Sequence, residues 1–389
     1  MKRASTILAM TLSVIAGCGG CKQSGAQSED FITVDVTASY PKKELILQDF
    51  MDVEYIPLET TDEFICQGFV LAVGKDIILA KNWANDGDIF IFDRRTGKGL
   101  KKINRKGQSG EEYTNIQRIV LDEEKGEMFV DDHFIEKILV YDLDGNFKRS
   151  LKQEDNFSFP HVLNFGSENL ICNNYWVTDK PPFTIISKQD GSLVKEIQIP
   201  FKEKISIDLY VTDKVNNMTY GASARTYNPI IPNFDSWILV EPSSDTLYRY
   251  SPDHTMVPLI ARTPPVQSMN PEIFLFLSIL TDRYYFMETV KKEFDFGTSS
   301  GFPATDLMYD RQKKAIFRYT VYNDDYSNKI SVNMKSASVN DEIASWQNLE
   351  AHQLVAAREK GQLKGRLKEI AATLDEEDNP VIMLIKHRK

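Results

Sequence analysis

A spaced set of glycine turns constrains this chain more than any other feature. Phe90-Ile91-Phe92-Asp93 runs into Thr96-Gly97-Lys98, Leu139-Val140-Tyr141-Asp142 into Asp144-Gly145-Asn146, and Thr184-Ile185-Ile186-Ser187 into Asp190-Gly191-Ser192. The three glycines lie 48 and 46 residues apart. An apolar run, a turn in which glycine takes a positive φ at little cost, and a second apolar-tipped run make a β-hairpin. Each hairpin is preceded by another short apolar stretch, at 76–80, 127–130 and 169–172, and a fourth is clearest at 116–122. Four short strands recurring every 40–50 residues form a unit that cannot bury both of its faces alone, so the units must stack around an axis. The pattern predicts an all-β fold, a β-propeller of four-stranded blades. Counting hairpins gives six blades.

The second half carries the pattern in weaker form. Residues 236–240 and 246–250 read as the middle strands of a blade, as do 284–287, 304–309 and 315–321, with insertions at 201–235 and 261–282. Asn270-Pro271 predicts a short helix running to Leu280, with proline in its first turn. From 342 to 374 the apolar residues Ile343, Trp346, Leu349, Leu354, Leu363, Leu367 and Ile370 take helical spacing, which Gly361 and Gly365 interrupt. The apolar run 381–385 then predicts a final strand that closes the ring by pairing with 31–36 or 53–57.

The chain opens with Lys2 and Arg3, an apolar run from Ala4 to Ala16, and Ile15-Ala16-Gly17-Cys18. A basic start, a short apolar stretch and small residues form a secretory signal, and thirteen apolar residues fall short of the roughly 17–25 that span a bilayer. A cysteine directly after the small residues resembles the lipobox of bacterial lipoproteins, which implies cleavage after Gly17 and acylation of Cys18. Residues 1–17 are then a lipoprotein signal peptide, 18–30 a flexible tether and 31–389 a single propeller domain. Some lipoproteins of the kind this start resembles carry acidic residues just after the cysteine as a surface-export signal; the tether has none before Glu29, so the resemblance implies the periplasmic side of an outer membrane rather than the cell surface.

The net charge of −10, with basic and acidic residues interspersed, excludes nucleic acid as a partner. Cys21, Cys66 and Cys172 fit no zinc spacing, and Cys66 and Cys172 read as either a bridge or two buried apolar fillers. The five scattered histidines form no metal motif, so no cofactor or metal is expected.

In a four-stranded blade, the loop between the second and third strands shares a face with the loop entering the next blade. Those loops fall at 81–88, 131–137, 173–182, 241–245 and 288–301, with inter-blade loops at 104–115 and 152–160. They carry Trp83, then Asp132 and His133, then Asn174, Tyr175 and Trp176, with Arg105 beside them. Aromatic plates with nearby amides and acids suit sugar rings or small amphipathic ligands; the same aromatics could instead cap the blade ends. An Asp131-Asp132-His133 acid–base pair is disfavoured, because neighbours on a strand point to opposite faces.

The lipobox, Tyr55-Ile56-Pro57-Leu58-Glu59-Thr60, the turn Gly107-Gln108-Ser109-Gly110-Glu111-Glu112-Tyr113 and the closing Asp378-Asn379-Pro380 together resemble the six-bladed β-propeller lipoproteins of bacterial outer membranes, relatives of NHL-repeat propellers. In that family a proline often stands where this chain has Glu111. The resemblance implies a fold and a compartment, with little biochemistry. The expectation is a lipid-anchored extracytoplasmic binding or scaffold protein, engaging a glycan, peptide or partner protein at its channel face. A hydrolase or lyase on the same ring is the alternative, and helix 342–374 is either rim cover or a docking element.

Overall fold

The computed structural model describes residues 31–151, 161–174, 180–224, 227–336 and 339–388. Six sheets are arranged as blades. Blade I pairs Phe69–Val73, Ile77–Lys81, Asp88–Asp93 and Gly99–Asn104 in order. Blade II spans 118–151 and blade III 161–197 with the same meander. Blade IV uses 230–263 and blade V 273–323. Blade VI combines Ile343–Leu349 and Val381–His387 with Met51–Pro57 from the start of the domain.

The apolar clusters explain why the sheets form a ring. Along a strand, alternate side chains face opposite neighbours. Thus Ile78, Ala80, Phe90 and Phe92 pack toward blade VI, whereas Leu79, Ile89 and Ile91 pack toward blade II. Six clusters of described residues each bridge two consecutive blades, and the one holding Ile56, Ile382 and Leu384 with Val70 and Phe90 joins the last blade to the first. A blade buried on both faces needs apolar residues at nearly every inner-strand position, which is what the repeat supplies.

The turn glycines 97, 145 and 191 all take positive φ. Close approach adds a second constraint at two of them. A Cβ on Gly97 would sit 1.9 Å from the Pro57 carbonyl oxygen, and one on Gly145 would sit 2.7 Å from the Ile103 side chain.

Closure involves more of the N-terminal segment than one strand. Ile32–Asp35 adds in parallel to the outer edge of blade IV, and Lys42–Ile46 does the same for blade V. Met51–Pro57 pairs antiparallel with Val381–His387, the second of the two expected registers. The segment therefore stitches three blades and covers three outer edges that would otherwise stay open.

One expected helix, and the start of the expected helical region after 342, are strands. Ile273–Leu280 is the innermost strand of blade V, because nearly every residue of Phe-Leu-Phe-Leu-Ser-Ile-Leu is buried and a one-sided helix cannot place them all. The helical region after 342 is shorter than expected. Ile343–Leu349 is a strand in register with Val381–His387, and the helices are Ala351–Glu359 and Gly365–Ala371. They lie between two strands of blade VI and bury Leu354, Leu367 and Ile370 in the cluster shared with blade V. Cys66 and Cys172 are free thiols, both buried.

Candidate ligand channel

Strand direction gives the axial cavity two distinct ends. The innermost strands of blades I, II and III begin at Phe69, Arg118 and His161 and run to Val73, Asp122 and Phe165. In blade VI the strand Ile343–Leu349 runs the other way. Asn348 Nδ2 donates to the Gln67 carbonyl near the start of blade I's first strand, and Asn340 Nδ2 donates to the Val73 carbonyl at its end. Among the described residues blade VI thus has no first strand, and the segment carrying Asn333 and Ser336 lines the axis beside it. The cavity measures about 1410 Å³.

The end where the strands begin is aromatic. Trp83, 67% exposed, meets Phe69 edge-on at 4.6 Å, and Phe69 meets Trp346 edge-on at 6.0 Å. Lys81 Nζ lies 5.5 Å over the Phe69 ring and donates to the Ile116 carbonyl. The Trp83 loop is held in place by side-chain amides. Trp83 N–H donates to Gln67 Oε1 at 2.8 Å, Gln67 N–H donates to Asn82 Oδ1 at 2.9 Å, and Asn82 Nδ2 donates to Asp86 at 2.7 Å. Gln117, Gln347 and Asn348 share the wall with these rings. An indole face framed by amides presents apolar area together with directed polar groups.

The other end is acidic. Glu123, Glu124, Asp235, Asp341 and Glu342 line it. Some of these carboxylates are already engaged. Glu123 accepts from the backbone N–H groups of Lys75, Asp76 and Ile77, and Glu342 accepts two bonds from the Arg94 guanidinium. That guanidinium holds the Glu342 carboxyl down at about 2. Burial, with Asp235 beside it, pushes the Asp341 carboxyl up.

Among the described residues, three buried side-chain atoms of the cavity wall have no hydrogen-bond partner: Arg118 Nε, Asn164 Oδ1 and Asn348 Oδ1. A buried group left unpaired costs about 1–3 kcal/mol, so such atoms mark places where a bound molecule would repay desolvation. Asp131 faces Arg118 across the ladder, and burial pushes its carboxyl up to about 7 against the pull of Arg118. Burial likewise drives the His161 imidazole down to about 3, and Arg118 adds to that effect. Among the described residues, no three His, Cys, Asp or Glu side chains are grouped so as to hold a metal ion.

Of the residues singled out from the sequence, Trp83 lines the cavity. Asp132 is fully buried, and its carboxylate accepts from Thr114 N–H, Thr114 Oγ1, Asn115 N–H and Phe134 N–H, so it clamps the loop between blades I and II. Asn174 is also fully buried and donates from Nδ2 to the Pro181 carbonyl. His133 is exposed, with its ring 6.2 Å from Phe134. Arg105 donates from Nε to the Gly145 carbonyl and ties blade I to the turn of blade II. None of these four is part of the cavity wall. Cys18, Tyr175 and Trp176 lie outside the described residues. The sequence reading missed Phe69, Trp346 and Arg118. Arg118 did leave a signal, as a charged residue opening the apolar run Ile119-Val120-Leu121.

The family model described as "Domain of unknown function (DUF4934)" matches residues 31–386. The chain belongs to this family. As a DUF4934 protein it is similar in structure to a protein of Bacteroides fragilis that its describers take to be exported. That similarity has a TM-score of 0.59 at 15% identity and covers 92% of this chain and 100% of that one. A member of the DUF4221 family from Bacteroides vulgatus matches with a TM-score of 0.46 at 10% identity, over 87% of this chain and 98% of that one. At these identities the likeness to the first protein is one of fold. No curated protein matches the DUF4934 chain. No described helix is long and apolar enough to cross a membrane.

Proposed function

We propose that this DUF4934 protein is an extracytoplasmic binding protein that captures a saccharide at the aromatic end of its channel. Acyl chains on Cys18 tether it to the periplasmic side of the outer membrane. The observation that carries the reading is the Trp83–Phe69–Trp346 cluster at the mouth of a cavity large enough for several sugar rings. Trp83 leaves two-thirds of its surface uncovered although its loop is fixed by three amide hydrogen bonds. A rigid, exposed indole loses little freedom on binding, which favours recognition over simple end-capping. Export fits the signal-like start of the chain and the description of the Bacteroides fragilis relative.

The test is a glycan and peptide binding screen on the full chain in detergent. An oligosaccharide should bind, and Trp83→Ala should weaken it about tenfold or more, as loss of a central aromatic anchor does. Trp346→Ala should act in the same direction. Binding unaffected by both substitutions would remove the mouth as the site. Labelling with a fatty-acid analogue should be lost in Cys18→Ser.

A further inference from the structure

We propose that the bound saccharide carries an anionic substituent, a carboxylate or a sulfate, and that Arg118 grips it. The inference rests on the reading of the channel mouth as a saccharide site and names the chemistry of what binds there.

Its first support is position. Arg118 begins the innermost strand of blade II as Phe69 begins that of blade I, and both residues line the cavity that Trp83 also lines. The second is unmet bonding. Among the described residues Arg118 makes no hydrogen bond or ion pair through its side chain, and its Nε is buried without a partner. Elsewhere the fold pairs its buried cations. Lys188 meets Asp122 at 2.7 Å, Arg94 meets Glu342 at 2.7 Å, and Arg262 donates to the Pro264 and Ile273 carbonyls. Arg118, half-buried in the cavity wall, has a buried Nε with no such partner among the described residues.

The surroundings leave its charge available. Asp131 is the acid facing it across the ladder; burial pushes that carboxyl up to about 7, against the attraction of Arg118, and the two groups make no hydrogen bond. The Asp132 carboxylate is occupied by Thr114, Asn115 and Phe134. His161 from blade III is held neutral, and Cys172 is a buried thiol. The acids at the far end, Glu124, Asp235 and Asp341, set up a potential along the channel that repels an anion there and leaves it favoured at the Arg118 end. A planar guanidinium with free donors matches a carboxylate or sulfate in a two-point contact.

The test uses the full chain in detergent. The probes are oligosaccharides cut from pectin, alginate and heparin, each beside its carboxyl-reduced form, with heparin also beside its desulfated form. Wild type should bind an acidic form at least about tenfold more tightly than its neutral counterpart, in line with a charge-assisted contact. Arg118→Met should abolish that preference while keeping neutral binding, and Arg118→Lys should keep part of it. Trp83→Ala should weaken acidic and neutral forms alike. Circular dichroism and the melting temperature check that each variant folds. Equal binding of acidic and neutral forms, or a preference that survives in Arg118→Met, overturns the inference and leaves the saccharide site standing. Binding of none of the probes overturns both.

Discussion

Replacing Asn379 by alanine should cost the protein a large part of its stability, although the residue lies in a loop. Asn379 is buried between the second helix and the closing strand. Its Nδ2 donates to the Glu59 carbonyl at 2.8 Å and to the Phe64 carbonyl at 2.6 Å, and its Oδ1 accepts from Cys66 N–H at 2.9 Å. One side chain therefore fastens the path by which the chain leaves Met51–Pro57 and enters blade I. Alanine removes three hydrogen bonds and strands two carbonyls and an N–H that water reaches poorly. At about 1 kcal/mol for each bond plus part of the desolvation penalty, the loss comes to roughly 3–5 kcal/mol. That is at least about a fifth of the ~5–15 kcal/mol that holds a typical domain. In urea, with a slope near 3 kcal/mol per molar for a chain this long, the midpoint should fall by about 1–1.7 M. Asp378→Ala is the control: its carboxylate caps the exposed Asp375 N–H, and surface changes of this kind stay within about 0.5 kcal/mol. A loss below about 1 kcal/mol in Asn379→Ala would refute the claim that this amide sews the closing blade to the first.

Further outcomes follow from single residues. Gly97→Ala should destabilise by more than about 2 kcal/mol in the same urea assay, because the new Cβ meets both a positive φ and the Pro57 carbonyl. The Glu342 carboxyl sits at about 2 in the folded protein, against an ordinary 4.5, because of Arg94. Its contribution is complete above the ordinary value and is lost as pH falls toward 2, so Glu342→Gln should be less stable than wild type at pH 7 and converge with it near pH 2. Asp131 has the opposite sign. Its carboxyl is raised from 3.8 to about 7, so folding takes up a proton in that range and stability declines as pH rises through it. Asp131→Asn should lack that decline in unfolding free energies measured from pH 4 to pH 8, and an unchanged slope would show that the carboxyl titrates normally.

The ring was readable from the sequence wherever turn chemistry was local. The glycines at 97, 145 and 191 announce their hairpins, because few other residues take that φ cheaply. The strand 273–280 was misread because a proline and a continuous apolar run fit a helix start as well as a buried strand; only burial on both faces separates them. Ile343, Trp346 and Leu349 take helical spacing, yet pairing with 381–387 makes them a strand, and that pairing is remote in sequence. Of the residues singled out from the sequence and described by the structure, Trp83 is the one in the cavity wall. Asp132 and Asn174 carry the residue types of a binding loop, but the fold spends them on its own backbone. Phe69, Arg118 and Trp346 converge from blades I, II and VI, and no local pattern brings them together.

The central claim is best tested by the indole N–H signals of the four tryptophans during titration with an oligosaccharide from the acidic panel. Trp83 and Trp346 should shift together and saturably, while Trp237, its ring tilted against Phe165 at 4.4 Å at the opposite end of the channel, stays in place. Shifts confined to Trp237, or binding that moves neither Trp83 nor Trp346, would contradict the account.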